Sequence, residues 1–255
     1  MIIRQASLDA FQKSAMKSFE DEMIEHCKVF SPNLCKTLTP EQLRQAIGAA
    51  IEMASRYGLT RRGPVHFYID CMLLFGSSFP TDPQYPWMAE ILVRDDFAEE
   101  MLKADALHEK VCDYLREVGG SDSRYMRGAL RRLLRLAQAN DLPLHQDAIE
   151  QDILRLLGQV WPEKLAYSGP ETIQLLVSDA VGRARDTYGF TQPRSMALMA
   201  VLMVAFGHRC DDDPLFPWIS KTLARREEDG PAVVAEKLER RTLVWFEAVL
   251  ENELA

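Results

Sequence analysis

His66 and Asp70 are four residues apart, the spacing that stacks two side chains on one face of a helix. There an imidazole and a carboxylate can act as an acid–base couple. The residues around them, Val65 to Phe75, are mostly apolar, so a hydrogen-bonded pair inside a core is the competing reading. A second polar group, His208-Arg209-Cys210 followed by Asp211, Asp212 and Asp213, offers imidazole, thiol and carboxylate donors. Its spacing matches neither a zinc site nor an EF-hand loop, and an acidic turn with a helix cap explains it better. The chain has no phosphate-binding glycine loop, no G-x-S-x-G and no H-E-x-x-H. No catalytic residue is assigned, and no metal or cofactor is expected.

Residues suited to binding are easier to find. The hexapeptide Asp82-Pro83-Gln84-Tyr85-Pro86-Trp87 has two prolines that stiffen a connection and an aromatic pair beside them. It returns as Asp213-Pro214-Leu215-Phe216-Pro217-Trp218. Tyr85, Trp87, Phe216 and Trp218 serve either as buried plugs at a rigid corner or as a twice-presented aromatic docking patch. A structural corner would also recur, which favours the plugs. Met196, Met199 and Met203 share a helix face, but the residues between them are apolar too, and core filling is the simpler account. Arg124, Arg127, Arg131 and Arg135 follow one another at spacings of three and four, a basic stripe along one side of a helix. It fits an acidic partner or a phosphate, or else pairs with acidic helices nearby; Tyr125 is the one interleaved aromatic residue, which argues against nucleic acid.

The elements that must carry these residues are helices. Residues 57–87 and 188–218 share ten identities in 31 positions at a constant offset of 131: Tyr57/Tyr188, Gly58/Gly189, Thr60/Thr191, Met72/Met203, Phe75/Phe206, Gly76/Gly207, Asp82/Asp213, Pro83/Pro214, Pro86/Pro217 and Trp87/Trp218. Unrelated segments would share about two. The same offset pairs Phe30 with Trp161, Leu34 with Leu165, Tyr114 with Trp245 and Leu115 with Phe246, and it sets Ala197 and Val201 opposite His66 and Asp70. Apolar stripes at helical spacing run over 7–30, 39–57, 63–75, 95–118, 123–139, 146–160, 170–188, 192–206 and 231–254, with short helices after Trp87 and Trp218. Thr39-Pro40-Glu41-Gln42 reads as a capping box, and Gly58 as a left-handed C-terminal cap. No stretch alternates with the period of a strand. The expectation is an all-α protein of two tandem helical domains, residues 1–120 and 121–255, with 123–139 as the joining helix.

Composition narrows the setting. The 255 residues carry a formal net charge of −8, which opposes binding to nucleic acid or to an anionic membrane unless one face is locally basic. The longest apolar run, Met196 to Phe206, is too short to span a bilayer. No secretory signal opens the chain, and five scattered cysteines, an odd number without a C-x-x-C pair, suggest a reduced, cytoplasmic setting.

Met1-Ile2-Ile3-Arg4 with Phe11 and Phe19-Glu20-Asp21, then Tyr57-Gly58-Leu59-Thr60, Phe75-Gly76 and Asp82-Pro83 through Pro86-Trp87, resemble a bacterial family encoded beside the spike, PAAR and effector genes of type VI secretion clusters. The resemblance covers mainly residues 1–92. It implies a cytoplasmic, non-enzymatic accessory whose protein partner is a secreted effector, toxin or spike protein: an adaptor or chaperone, or alternatively an immunity protein. It carries over no catalytic residue. An enzyme working through His66/Asp70 or residues 208–213 is the alternative from a different class.

Overall fold

The computed structural model describes residues 5–94, 96–97, 99–139 and 142–252, and among these no strand occurs. The helices are α1 (Gln5–Phe30), α2 (Pro32–Cys35), α3 (Pro40–Arg56), α4 (Arg62–Phe75), α5 (Pro86–Val93), α6 (Glu100–Tyr114), α7 (Arg124–Ala137), α8 (Ile149–Val160), α9 (Pro162–Ser168), α10 (Pro170–Gly182), α11 (Pro193–Phe206), α12 (Pro217–Leu223), α13 (Arg226–Asp229) and α14 (Pro231–Asn252). The protein is all-α. Helices α4 and α11 begin and end 131 residues apart, and α5 and α12 begin 131 apart.

Local signals explain most boundaries. At the start of α3 the Thr39 hydroxyl accepts from the Gln42 N–H while the Gln42 side chain accepts from the Thr39 N–H, so the capping box forms as its residues dictate. Gly58 is left-handed, as its place beyond α3 requires. Helix α6 begins at Glu100 and not near Asp95, a position outside the described residues. Before Glu100, Arg94 pairs with Asp96 and lies over the Phe97 ring, holding the chain in a non-helical connection. The Glu100 carboxylate accepts from the N–H groups of Thr60 and Arg61 and so ties α6 to the start of α4.

The buried helices read from the sequence are buried. Met196 is 1 % exposed and Met199 and Met203 fully covered, so the methionine face of α11 is core. One continuous hydrophobic core includes residues of both repeats. Helix α7 packs on α8 and α14 and also on the π-helical turn Leu115–Gly119 that follows α6. The carbonyls of Ala137, its last residue, and of Ala139 just beyond it accept from Arg194, whose guanidinium also pairs with Glu239 on α14.

The repeats meet by exchange. Helix α9 packs on the 115–119 turn, and α2 packs on α14; a shift of 131 carries α2 onto α9 and that turn onto the end of α14, so the two contacts are the same contact with the halves exchanged. At the centre of the seam the C-terminal ends of α4 and α11 abut. A Cβ on Gly76 would lie 2.6 Å from the Phe206 carbonyl oxygen, and one on Gly207 would lie 2.8 Å from that of Phe75. Both glycines have φ near +90° with extended ψ, a conformation side chains essentially exclude.

Candidate functional site

The seam is where the repeated hexapeptide does its structural task. Asp82 and Asp213 are each 3 % exposed. Oδ1 of Asp82 accepts from the Gln84 N–H at 2.9 Å, and Oδ1 of Asp213 from the Leu215 N–H at the same distance, so each carboxylate closes its own Asp-Pro turn. The other oxygen of each crosses to the opposite repeat. Asp82 Oδ2 accepts from the His208 N–H at 2.8 Å, and Asp213 Oδ2 from the Ser77 N–H at 2.7 Å. Burial pushes the Asp213 carboxyl up, with the N–H groups of Leu215 and Ser77 pulling the other way.

This arrangement decides between the two readings offered for each of two sequence features, and in both it is the structural one. The polar run 208–213 is not a free set of metal ligands: the His208 N–H is held by Asp82, Asp213 clasps Ser77, Asp211 takes the Tyr188 hydroxyl and Arg183, and Cys210 is buried with its thiol pushed up by that burial. Nor is the aromatic pair an exposed docking patch. Tyr85 and Phe216 are core residues at 4 % and 5 % exposure, against Phe75 at 4.8 Å and Phe206 at 4.7 Å between ring centroids. Trp87 and Trp218 are half-buried, with indole nitrogens covered by protein. Prolines on both sides fix the chain direction, and the aromatic rings fill the space below it.

Beside the clasp lies a cleft of about 210 Å³ between the repeats. Leu34 and Leu73 come from the first repeat, Trp161, Phe206 and Phe246 from the second, and Tyr125, Met126 and Leu130 from α7. Leu74 and Met126, 39 % and 40 % exposed, are its most exposed lining side chains. Of the arginine stripe of α7, Arg124, Arg131 and Arg135 are exposed and Arg127 half-buried, and none of the four lines the cleft: helical spacing centres them on the side of α7 opposite Met126 and Leu130. Arg124 bonds and covers the Tyr125 ring.

Lys164 lines the same cleft and is buried, a residue the sequence reading passed over because a lone lysine in α9 carries no local signal. Its Nζ donates to the Tyr85 hydroxyl at 3.0 Å and to the Val204 carbonyl at 2.6 Å. Burial pulls its pKa down to about 8, with the Asp82 carboxylate opposing the shift. Between that value and 10.5 the unfolded chain binds a proton the folded chain has lost, so stability rises with pH across this window. Relative to Lys164→Met, the wild-type chain should gain up to about 3 kcal/mol between pH 7 and pH 10.5. Urea denaturation of both proteins at the two pH values measures it; an unchanged difference would contradict the assignment.

A second polar site sits on the first repeat alone. Asp70 does not bond His66, which is four residues earlier on α4 and 3.9 Å away; it bonds His26 Nε2 of α1 at 2.6 Å. His66 is 36 % exposed along its side chain, so the pair is not the core pair its neighbours suggest. His26 was missed in the sequence because only the packing of α1 on α4 brings it there. Its counterpart at the 131-residue offset, Leu157, was the available signal: all three positions are apolar in the second repeat.

No family model, curated protein or solved structure matches this chain. Among the described residues, no helix is long and apolar enough to cross a membrane.

Proposed function

We propose that the chain is a non-enzymatic binding protein that takes an acidic, partly apolar segment of a partner protein into the cleft between its repeats. The observation that supports this reading is the cleft itself: an apolar floor contributed by both repeats, two exposed apolar side chains, Leu74 and Met126, and at its edge the exposed Arg124 lying over the cleft-lining Tyr125. Apolar anchors entering such a floor supply most of the affinity, and Arg124 selects an acidic neighbour. The chain as a whole carries a net charge of −8, which disfavours an acidic segment elsewhere on its surface.

The resemblance of residues 1–92 supplies the class of partner: a secreted effector or spike protein, held by a cytoplasmic accessory during loading. An immunity protein would use the same cleft to occlude a toxin. Tagged chain is used to capture partners from an extract of its own cells, beside a Leu74→Glu/Met126→Glu variant. The wild-type chain should recover one effector- or spike-like protein stoichiometrically, and the variant at least about tenfold less, as expected when central apolar anchors are lost. Equal recovery by both proteins, or recovery of nothing by either, would overturn the reading. Exposing target cells to the recovered protein with and without this chain then separates adaptor from immunity protein.

A further inference from the structure

We propose that His26, His66 and Asp70 form a binding site for a first-row divalent transition metal, with Zn²⁺ the ion that best suits the donors. Among the described residues this is the one group of histidine, cysteine and carboxylate side chains whose three ligand atoms all lie within 4.8 Å of one another. Two imidazole nitrogens and a carboxylate form a borderline donor set of the kind zinc takes in open sites. Donors around a tetrahedral zinc ion stand roughly 3.3–3.5 Å apart, given bonds of about 2.0–2.2 Å. The separations here, 2.6 Å from His26 to one Asp70 oxygen and 3.9 Å from His66 to the other, lie on either side of that spacing. Small rotations of side chains on two packed helices would equalise them.

The positions are also accessible. The side chains of His26, His66 and Asp70 are 27 %, 36 % and 17 % exposed, so an ion can enter and a water can complete its shell. The two imidazole rings lie edge to face at 4.2 Å, close enough for one ion to reach a nitrogen of each. The carboxylate beside them bonds His26 and stands 3.9 Å from His66. Shared coordination of a cation would satisfy all three.

The second repeat provides an independent argument. At the same offset it carries Leu157, Ala197 and Val201, all buried. Helices α8 and α11 therefore pack with apolar residues where α1 and α4 present the trio, and the fold does not require polar groups there. The trio is an addition to a scaffold that packs without it, which is what a ligand site looks like in a repeat protein. This inference is independent of the cleft and its partner.

The test is a titration of the chelator-stripped full chain with Zn²⁺ by calorimetry and with Co²⁺ by visible absorption. One ion per chain should bind in the micromolar range or tighter, and bound Co²⁺ should show the intense absorption of a low-coordinate site. His26→Leu, His66→Ala and Asp70→Val install the residues of the second repeat. Each should weaken binding by at least about 100-fold, since even outer-shell losses cost 10- to 100-fold. Circular dichroism checks folding, and Asp70→Asn replaces Asp70→Val if the latter unfolds. His108 and Cys112, 3.6 Å apart on the surface of α6, could chelate adventitiously, and His108→Ala/Cys112→Ser should leave binding unchanged. Failure of the wild-type chain to take up either ion at tens of micromolar, or loss of binding only in the His108/Cys112 variant, would overturn the proposal.

Discussion

Gly207→Ala should destabilise the chain by about 3–5 kcal/mol, a large part of the stability of an ordinary domain. Two costs combine. The backbone at Gly207 has φ 98° and ψ 156°, a region that costs a side-chain-bearing residue about 1–3 kcal/mol. The new methyl would also lie 2.8 Å from the Phe75 carbonyl oxygen, a backbone atom fixed by its own helix. Overpacking of this kind costs a further 1–3 kcal/mol or so. Gly76→Ala meets the mirrored obstruction at 2.6 Å from the Phe206 carbonyl and should cost as much. Both act on the same contact, so the double variant should lose less than the sum of the two. Gly48→Ala is the control: inside α3, with open space around its Cβ, it should be neutral or stabilise slightly. Urea denaturation measures all four, and a Gly207→Ala protein as stable as wild type would show that the seam is looser than described.

Removing either clasping carboxylate should cost about 2–5 kcal/mol. Asp213→Ala leaves the buried Leu215 N–H and the part-buried Ser77 N–H without acceptors, and Asp82→Ala does the same to the N–H groups of Gln84 and His208. Each unsatisfied buried donor costs about 1–3 kcal/mol. Asparagine should not rescue either site, because its single oxygen can serve one donor while its NH₂ group confronts the other. Urea denaturation of each variant beside wild type measures the loss, and wild-type stability in Asp213→Ala would contradict the clasp across the seam.

The parts of the molecule that follow local rules were legible in the sequence. The capping box at Thr39, the glycine beyond α3 and the apolar run of α11 each act within a few residues of chain, and each forms as its spacing predicts. The repeated Asp-Pro-x-aromatic-Pro-Trp pointed to a corner, and the corner exists. What the sequence could not show was where each second carboxylate oxygen goes, since Asp82 and His208 are 126 positions apart. His26 was hidden for the same reason, 44 positions from Asp70. The short helices α2 and α9 have too few turns to show a periodic stripe, although Pro32 and Pro162 stand at their starts. The start of α6 was placed too early because the apolar residues before Glu100 continue the helical spacing while Arg94, Asp96 and Phe97 interact with one another instead.

The cleft between the repeats can be tested most directly by hydrogen–deuterium exchange on the full chain, alone and bound to the protein it captures. Protection should increase at the C-terminal end of α4 around Leu74, in the first turns of α7 around Met126, and in α14 near Trp245. These three segments are distant in sequence and meet only at the cleft. Protection confined to other surfaces, such as the N-terminal half of α1, with these segments unchanged, would contradict the account.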